Sequence, residues 1–450
     1  MMFHSTNHNT SDVDFKTAIL RGQALDKGLY MLNEIPSISS KQIYSMKDME
    51  MQEIAHIVFS KIIGKSIPKN ELKNLINEAL NFEAPVKQIN EEDYICYLDR
   101  GPTNSFKDIG MRMLAKCMEY FLKQEEKKIV ILVATSGDTG GAACNAFYNI
   151  ENIKVVVLYP KNEISDLQRK QMTTLGGNIT AIGIQGKFDD CQRYVKQAFA
   201  DEELSYINLS SANSINFGRL LPQTLYYFWS YSRVTEEKGE KILFSVPSGN
   251  FGNLMGGLIA HKMGLPIKKF ISAVNENNEF PNFLQTGTYQ KIEPSKNCIS
   301  NAMNVGHPSN LARLIDLYGG QMDEKGNIHE QPNMKEIRNE IVSYSISDEL
   351  TKETIMSFYK NYNKIIEPHG AVGWAAKKIY REKFPIDDII KSVTLETADP
   401  AKFPEQIIDL IDINPEVPSS LKTLENKKEF PNSAKIETYQ DFKQFLKKTY

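Results

Sequence analysis

Residues 129–147, IVILVATSGDTGGAACNAF, pass from an apolar β-rich run through a cluster of small residues into an alanine-rich segment. A short run that is apolar on every residue has no polar face to give to water, so it reads as a strand covered on both sides. The run after the turn reads as a helix. Between them, Thr135, Ser136, Gly137, Thr139, Gly140 and Gly141 let backbone amides face a bound anion at the start of that helix. The same residues also suit a tight strand-to-helix connection that merely needs glycine geometry.

Working outward, the grammar recurs at 242–263. ILFSV is followed by Pro247, Ser248 and the run Gly249-Asn250-Phe251-Gly252-Asn253, then by Leu254, Leu258, Ile259 and His261 at helical spacing. Glycines flanking asparagines permit a nest of backbone N–H groups for a phosphate at a helix N-terminus. Phe251 also reads as core packing. No GxxxxGK[ST] is present and no GxGxxG follows the first strand, so neither a nucleoside triphosphatase nor a dinucleotide fold is the natural reading. Further strands are expected at 155–159 (VVVLY), 270–274 (FISAV) and 392–396 (SVTLE), alternating with amphipathic stretches. That alternation specifies an α/β layer fold with helices covering a mainly parallel sheet.

Two segments carry chemistry outside these turns. In GPTNSFKDIGMR (101–112) turn residues give way to a helical pattern, which places Lys107 at a loop-to-helix entry. The positive end of the helix dipole opposes protonation and favours the free amine that Schiff-base formation requires. A surface lysine beside Asp108 is the plainer reading. In LETADPAKF (395–403), Thr397 follows a strand, where ligands collect in open α/β sheets. It caps a turn equally well.

The first hundred residues place Ile54, Val58 and Ile62, then Leu72, Ile76 and Leu80, at helical spacing, whereas 317–347 is polar and reads as surface loop and exposed helix. With 450 residues, 41% hydrophobic, the chain can bury a multi-domain core. Lys plus Arg number 53 against 56 Asp plus Glu, so the net charge of -3 creates no field that would attract nucleic acid or a membrane surface. The opening MMFHSTNHNTSDVDF lacks a basic segment followed by an apolar one, no later run has membrane-spanning length, and the expected compartment is the cytoplasm. Five cysteines without a CxxC pair are expected to be reduced thiols, and seven histidines without HExxH or zinc spacing give metal catalysis no support, so no metal is expected.

Taken in order, FKTAILRGQALDKGLYMLNEIP (15–36), GPTNSFKDIGMR, TSGDTGGAA, NSINFGRLLPQTLYYF (213–228), VPSGNFGNLMGG, EPHGAVG (367–373) and TADPAKF resemble the threonine synthase family. That family lies within the fold-type II pyridoxal 5′-phosphate (PLP) enzymes, related to the tryptophan synthase β-subunit. The resemblance implies an α/β fold of two lobes with PLP between them and a helical N-terminal subdomain. The expected division is 1–90 for the subdomain, 91–111 with 216–400 for the large PLP-binding lobe, 112–215 for the small lobe, and 401–450 for a peripheral C-terminal segment.

It further implies that Lys107 carries PLP as a Schiff base, that Gly249, Asn250, Phe251 and Asn253 hold the cofactor phosphate, and that Thr397 faces the pyridine nitrogen. A neutral hydroxyl there would temper the electron sink. Thr135, Ser136, Gly137, Asp138 and Thr139 are implied for the substrate carboxylate. Asn213, Ser214, Asn216 and Arg219 are candidates for substrate phosphate or pocket support, although Arg219 also suits an internal salt bridge. His369 has a family match and also reads as a structural histidine. The implied reaction converts the small molecule O-phospho-L-homoserine and water to L-threonine and phosphate by γ-elimination and β-hydration. The alternative is a phospho-lyase of the same fold yielding 2-oxobutyrate, ammonia and phosphate. Asp399 and Gly370 depart from the family pattern, where a histidine and a hydroxyl residue are common.

Overall fold

The computed structural model describes residues 1–125, 127–430 and 435–450. The first eighty residues hold more than the expected helices. β1 (Met2–Ser5) pairs antiparallel with β2 (Val13–Asp14) and with β3 (Tyr30–Leu32). Phe3 and Tyr30 are buried there, but strands this short contain too few residues to show a period. The helices Met51–Ile63 and Lys69–Ala79 follow the spacing, with Ile54, Val58, Ile62, Leu72 and Ile76 all buried.

The larger sheet contains β4 (Val86–Gln88), β5 (Asp93–Tyr97), β10 (Ile242–Pro247), β11 (Ile267–Val274), β14 (Ile341–Ser345) and β15 (Ser392–Glu396). Its order is β14-β11-β10-β15-β5-β4, parallel throughout except for β4 against β5. The smaller sheet holds β6 (Ile129–Ala134), β7 (Ile153–Pro160), β8 (Ile179–Ile184) and β9 (Leu209–Ser211), all parallel in the order β8-β7-β6-β9. A hairpin, β12 (Gln321–Met322) with β13 (Ile328–Glu330), lies outside both.

The apolar runs are covered on both faces. Ile131 and Val133 of β6 pack with Met118 and Phe147, whereas Val130 and Leu132 pack with Tyr194 and Leu446. Alternate side chains along one strand therefore enter two different cores. In the larger sheet Phe244 and Phe270 join Tyr227 and Leu258, while Leu243 and Ile271 meet Val372 and Ala376 on the opposite side.

Two expectations are corrected. The stretch 317–347 is not all surface, because β14 pairs along its length with β11 as a sheet edge. Its sequence, IVSYS, is too short and mixed to stand out from polar surroundings. Nor is the segment after residue 400 peripheral throughout: the Lys402 side chain is fully buried, and the helix Tyr439–Thr449 buries Phe442 and Leu446 against the smaller sheet's outer core. Among the described residues no helix is long and apolar enough to cross a membrane.

Candidate active site

The turn before Lys107 is folded by Asp108, whose carboxylate accepts the Thr103 backbone N–H at 2.8 Å and the Thr103 hydroxyl at 2.6 Å. The next residues reach the end of β15: Phe106 N–H donates to the Thr397 carbonyl at 2.9 Å. Lys107 opens the helix Lys107–Glu125 and projects into a cavity of about 880 Å³. Its side chain is 13% exposed, and Nζ lies 3.5 Å from Asp138 Oδ2. Burial lowers the Lys107 pKa; Asp138 opposes this, and Lys402 and Arg219 add to it.

Asp138 is the hub of the charges. It heads the helix Asp138–Phe147 and is held from two further sides, by Lys402 Nζ at 2.9 Å and Gln168 Nε2 at 3.1 Å. Burial works against its ionisation, but Lys402 and Lys107 hold it well below the usual carboxylate range. It balances two lysines, so it is not a free general base. Thr135 Oγ1 accepts N–H bonds from Gly137 at 2.9 Å and Gly140 at 2.8 Å, which shapes the turn and leaves its own proton to donate. Gly137 has φ 131°, and a Cβ there would strike the Gln168 carboxamide at 2.5 Å. Thr135, Ser136, Asp138 and Thr139 line the cavity; Gly137 shapes the turn without lining it.

Gly249, Asn250, Phe251, Gly252 and Asn253 line the same cavity at the start of the helix Gly252–Lys262. Phe251 takes a left-handed backbone, φ 58°, next to a helical residue, the alternation from which a nest of successive amides is built. Its ring is buried against Phe280, centroids 4.7 Å apart, so the residue serves both readings at once. Asn253 Oδ1 is fixed by the hydroxyls of Tyr226 at 2.6 Å and Tyr227 at 3.0 Å.

Thr397 completes this wall. Its hydroxyl donates to Glu367 Oε1 at 3.2 Å, while Glu367 caps the helix Pro368–Lys383 by accepting the His369 and Gly370 amides. A carboxylate occupied by donors can only accept, so Thr397 keeps lone pairs for the cavity. His369 lines the cavity, but both ring nitrogens are engaged: Nδ1–H donates to Glu367 at 2.5 Å and Nε2 accepts the Ala302 amide at 3.1 Å.

The segment 213–219 divides. Asn213, Ser214 and Arg219 line the cavity, whereas Asn216 is buried beneath it, bonded to the Ile19 and Ser211 carbonyls at 2.8 Å each. Arg219 makes no ion pair among the described residues: Nη1 donates to the Ala212 carbonyl at 2.7 Å and Nε has no partner. Burial brings its pKa down to about 10. It is a buried cation facing the cavity without a carboxylate of its own.

The two departures lie behind the wall. Asp399 caps the turn Pro400–Lys402 through the Ala401 amide at 2.9 Å, and so aims Lys402 at Asp138. A Cβ at Gly370 would fall 1.6 Å from Glu396 Oε2, so glycine there answers the glutamate at 396. Reading residues in sequence missed Lys402, Glu367, Gln168, Tyr226 and Tyr227. Lys402, Glu367 and the tyrosines stand inside TADPAKF, EPHGAVG and NSINFGRLLPQTLYYF, where they could have been sought; Gln168 had no such signal.

Comparison with known proteins places the chain in a family. Residues 80–394 match the pyridoxal-phosphate dependent enzyme family, 2–80 the threonine synthase N terminus, and 370–445 the threonine synthase C-terminal family. The threonine synthase of Buchnera aphidicola is 37% identical over 423 residues, covering 94% of each chain. The crystal structure of threonine synthase from Escherichia coli superposes with a TM-score of 0.89 at 33% identity, covering all of both chains. The PLP-bound threonine synthase from Brucella melitensis does so with 0.91 at 31% identity, covering 100% of this chain and 99% of that one. The chain belongs to the threonine synthase family of pyridoxal 5′-phosphate-dependent enzymes.

Proposed function

We propose that this protein converts O-phospho-L-homoserine and water to L-threonine and phosphate, with Lys107 as the amine that carries PLP. The observation that carries the reading is the buried Lys107 amine, its pKa lowered, in a cavity that also presents two helix N-termini and the unpaired Arg219.

The residues present fit the cofactor. Asn250, Phe251 and Asn253 offer amides for its phosphate, and Gly249 lets the loop pack closely, since a Cβ there would lie 3.0 Å from the Ala302 carbonyl. Thr397 would meet the ring nitrogen with lone pairs, its proton being directed to Glu367. Bound there, PLP supplies a conjugated ring that accepts the electron pairs left on substrate carbon.

The chain's own groups do the rest. The substrate carboxylate is taken by Thr135, Ser136 and Thr139 at the head of their helix, where amides and hydroxyls converge. Arg219 supplies the positive charge for the substrate phosphate, with Asn213 and Ser214 alongside. Lys107 Nζ moves protons at the substrate's α-, β- and γ-carbons. The Cγ–O bond breaks with its electron pair leaving on phosphate, and water adds its oxygen at the β-carbon. Asp138 and Lys402 tune Lys107 for this work by fixing the charge around it.

The same reading keeps the N-terminal subdomain at 1–90, assigns the strands between 129 and 211 to a small lobe within 112–215, and assigns β5 with the strands between 242 and 396 to a large lobe of 91–111 with 216–400. The five free, buried cysteines support a cytoplasmic setting. Incubation of the PLP-loaded enzyme with O-phospho-L-homoserine tests the assignment. Equimolar threonine and phosphate are expected; 2-oxobutyrate and ammonia without threonine would overturn it in favour of the phospho-lyase.

A further inference from the structure

The geometry points to a divalent-cation site of the zinc type, formed by His4, His8 and Asp316, that clamps the N-terminal strand to a helix supporting the active-site cavity. His4 Nε2 lies 2.9 Å from Asp316 Oδ2, and His8 Nε2 lies 2.9 Å from Asp316 Oδ1. The candidate ligand atoms of all three residues fall within 4.8 Å of one another. The two imidazoles are stacked, centroids 5.0 Å apart and 11° from parallel. A turn closed by the His8 N–H donating to the Ser5 carbonyl at 2.8 Å, with His8 at φ 55°, brings the second ring over the first.

Hydrogen bonding behind the ligands orients the first of them. His4 Nδ1 faces Asn33 Oδ1 at 3.4 Å, and the Asn33 amide is oriented by donating to Asp12 Oδ2 at 2.5 Å. The carbonyl oxygen therefore calls for hydrogen on Nδ1 and fixes the ring with Nε2 directed at the Asp316 carboxylate. A carbonyl behind the distal nitrogen is the arrangement that orients metal-bound histidine. Two imidazoles and one carboxylate suit zinc or cobalt, with water in a fourth position on the open side, where His8 is 50% exposed.

The consequence is mechanical. Asp316 lies on the helix Leu311–Leu317, whose Arg313 holds the Ser214 carbonyl at 3.2 Å and the Ile215 carbonyl at 2.6 Å. Just before that helix, Asn310 Nδ2 donates to the Asn250 carbonyl at 3.0 Å. Thr6 and Asn7, between the two histidines, line the cavity. Binding at one end of the helix steadies both the cavity mouth and the loops at 214 and 250.

The test uses untagged, PLP-loaded enzyme in phosphate-free buffer, titrated with Co²⁺ alone. One ion per chain is expected, with visible d–d bands of a nitrogen/oxygen site, displaced by Zn²⁺, and a rise in melting temperature on Zn²⁺ addition. His8→Ala and Asp316→Asn should abolish both signals, and Asn33→Ala should weaken binding at least about tenfold while all three ligands remain. A sulfur-to-cobalt charge-transfer band would place the ion at the separate Glu276, Cys298 and Asp348 cluster and overturn the assignment. So would affinity unchanged in His8→Ala, or no stoichiometric binding by the wild type.

Discussion

Replacing Lys402 with methionine removes one of the two ammonium groups on Asp138 while keeping an unbranched side chain in a fully buried slot. Two effects follow. Asp138 keeps only Lys107 at 3.5 Å and Gln168 at 3.1 Å, and deleting one partner of a buried pair costs about 3–5 kcal/mol. Lys107 also loses a neighbouring cation that pushes its pKa down, while the carboxylate that pushes it up remains. The Lys107 pKa is therefore expected to move up. The sign is fixed: a higher Lys107 pKa means that free amine appears only at higher pH. The assay is the rate of PLP uptake by apoprotein, followed by visible absorbance across pH, with thermal unfolding of the same samples. The midpoint of uptake should move to higher pH in Lys402→Met and the melting temperature should fall. An unmoved midpoint in a folded variant would refute the charge argument.

Other outcomes follow from the same structure. Arg219→Met should lower kcat/KM for the phosphorylated substrate by about 10- to 100-fold, the value of a hydrogen bond to a charged group, read by steady-state kinetics. Gly370→Ser should destabilise by about 1–3 kcal/mol through its clash with Glu396, and Glu396→Ala should rescue it, a coupling measured by a double-mutant cycle. Glu279 is buried with Oε2 unpartnered, and burial pushes its pKa up to about 8. The folded state thus binds its proton more tightly than the unfolded chain, a stabilising difference present below about pH 4.5 and lost as pH rises through 8. Glu279→Gln should therefore unfold like the wild type near pH 4.5 and gain relative stability toward pH 9, in denaturant titrations at the two pH values.

The α/β class and the strand-to-helix turns that line the cavity were legible because β6 and β10 are continuous apolar runs ending in glycine-rich segments, patterns set by local chemistry. The β5 strand DYICY and the β8 strand ITAIGI were not, since tyrosine, threonine and glycine interrupt the run and pairing partners far along the chain decide their state. At the site, the 249–253 loop could be singled out from its own neighbourhood, whereas Lys107 read alone as a surface lysine and took its role from the resemblance of the ordered segments together. Lys402 could not: its role depends on a carboxylate 264 residues away, and a turn capped by Asp399 aims it there. Thr397 was legible as a position, but the direction of its hydroxyl depends on Glu367, thirty residues distant. Asn216 shows the reverse: its place in a family segment pointed to the pocket, whereas its amide is fully used in holding the backbone beneath it.

The most direct test of the central claim is borohydride reduction of the PLP-loaded protein, followed by proteolysis and mass spectrometry of the labelled peptide. The account predicts one pyridoxyl-phosphate group per chain on Lys107, and none in Lys107→Ala. A label on Lys402, or a protein that takes up no PLP, would contradict it.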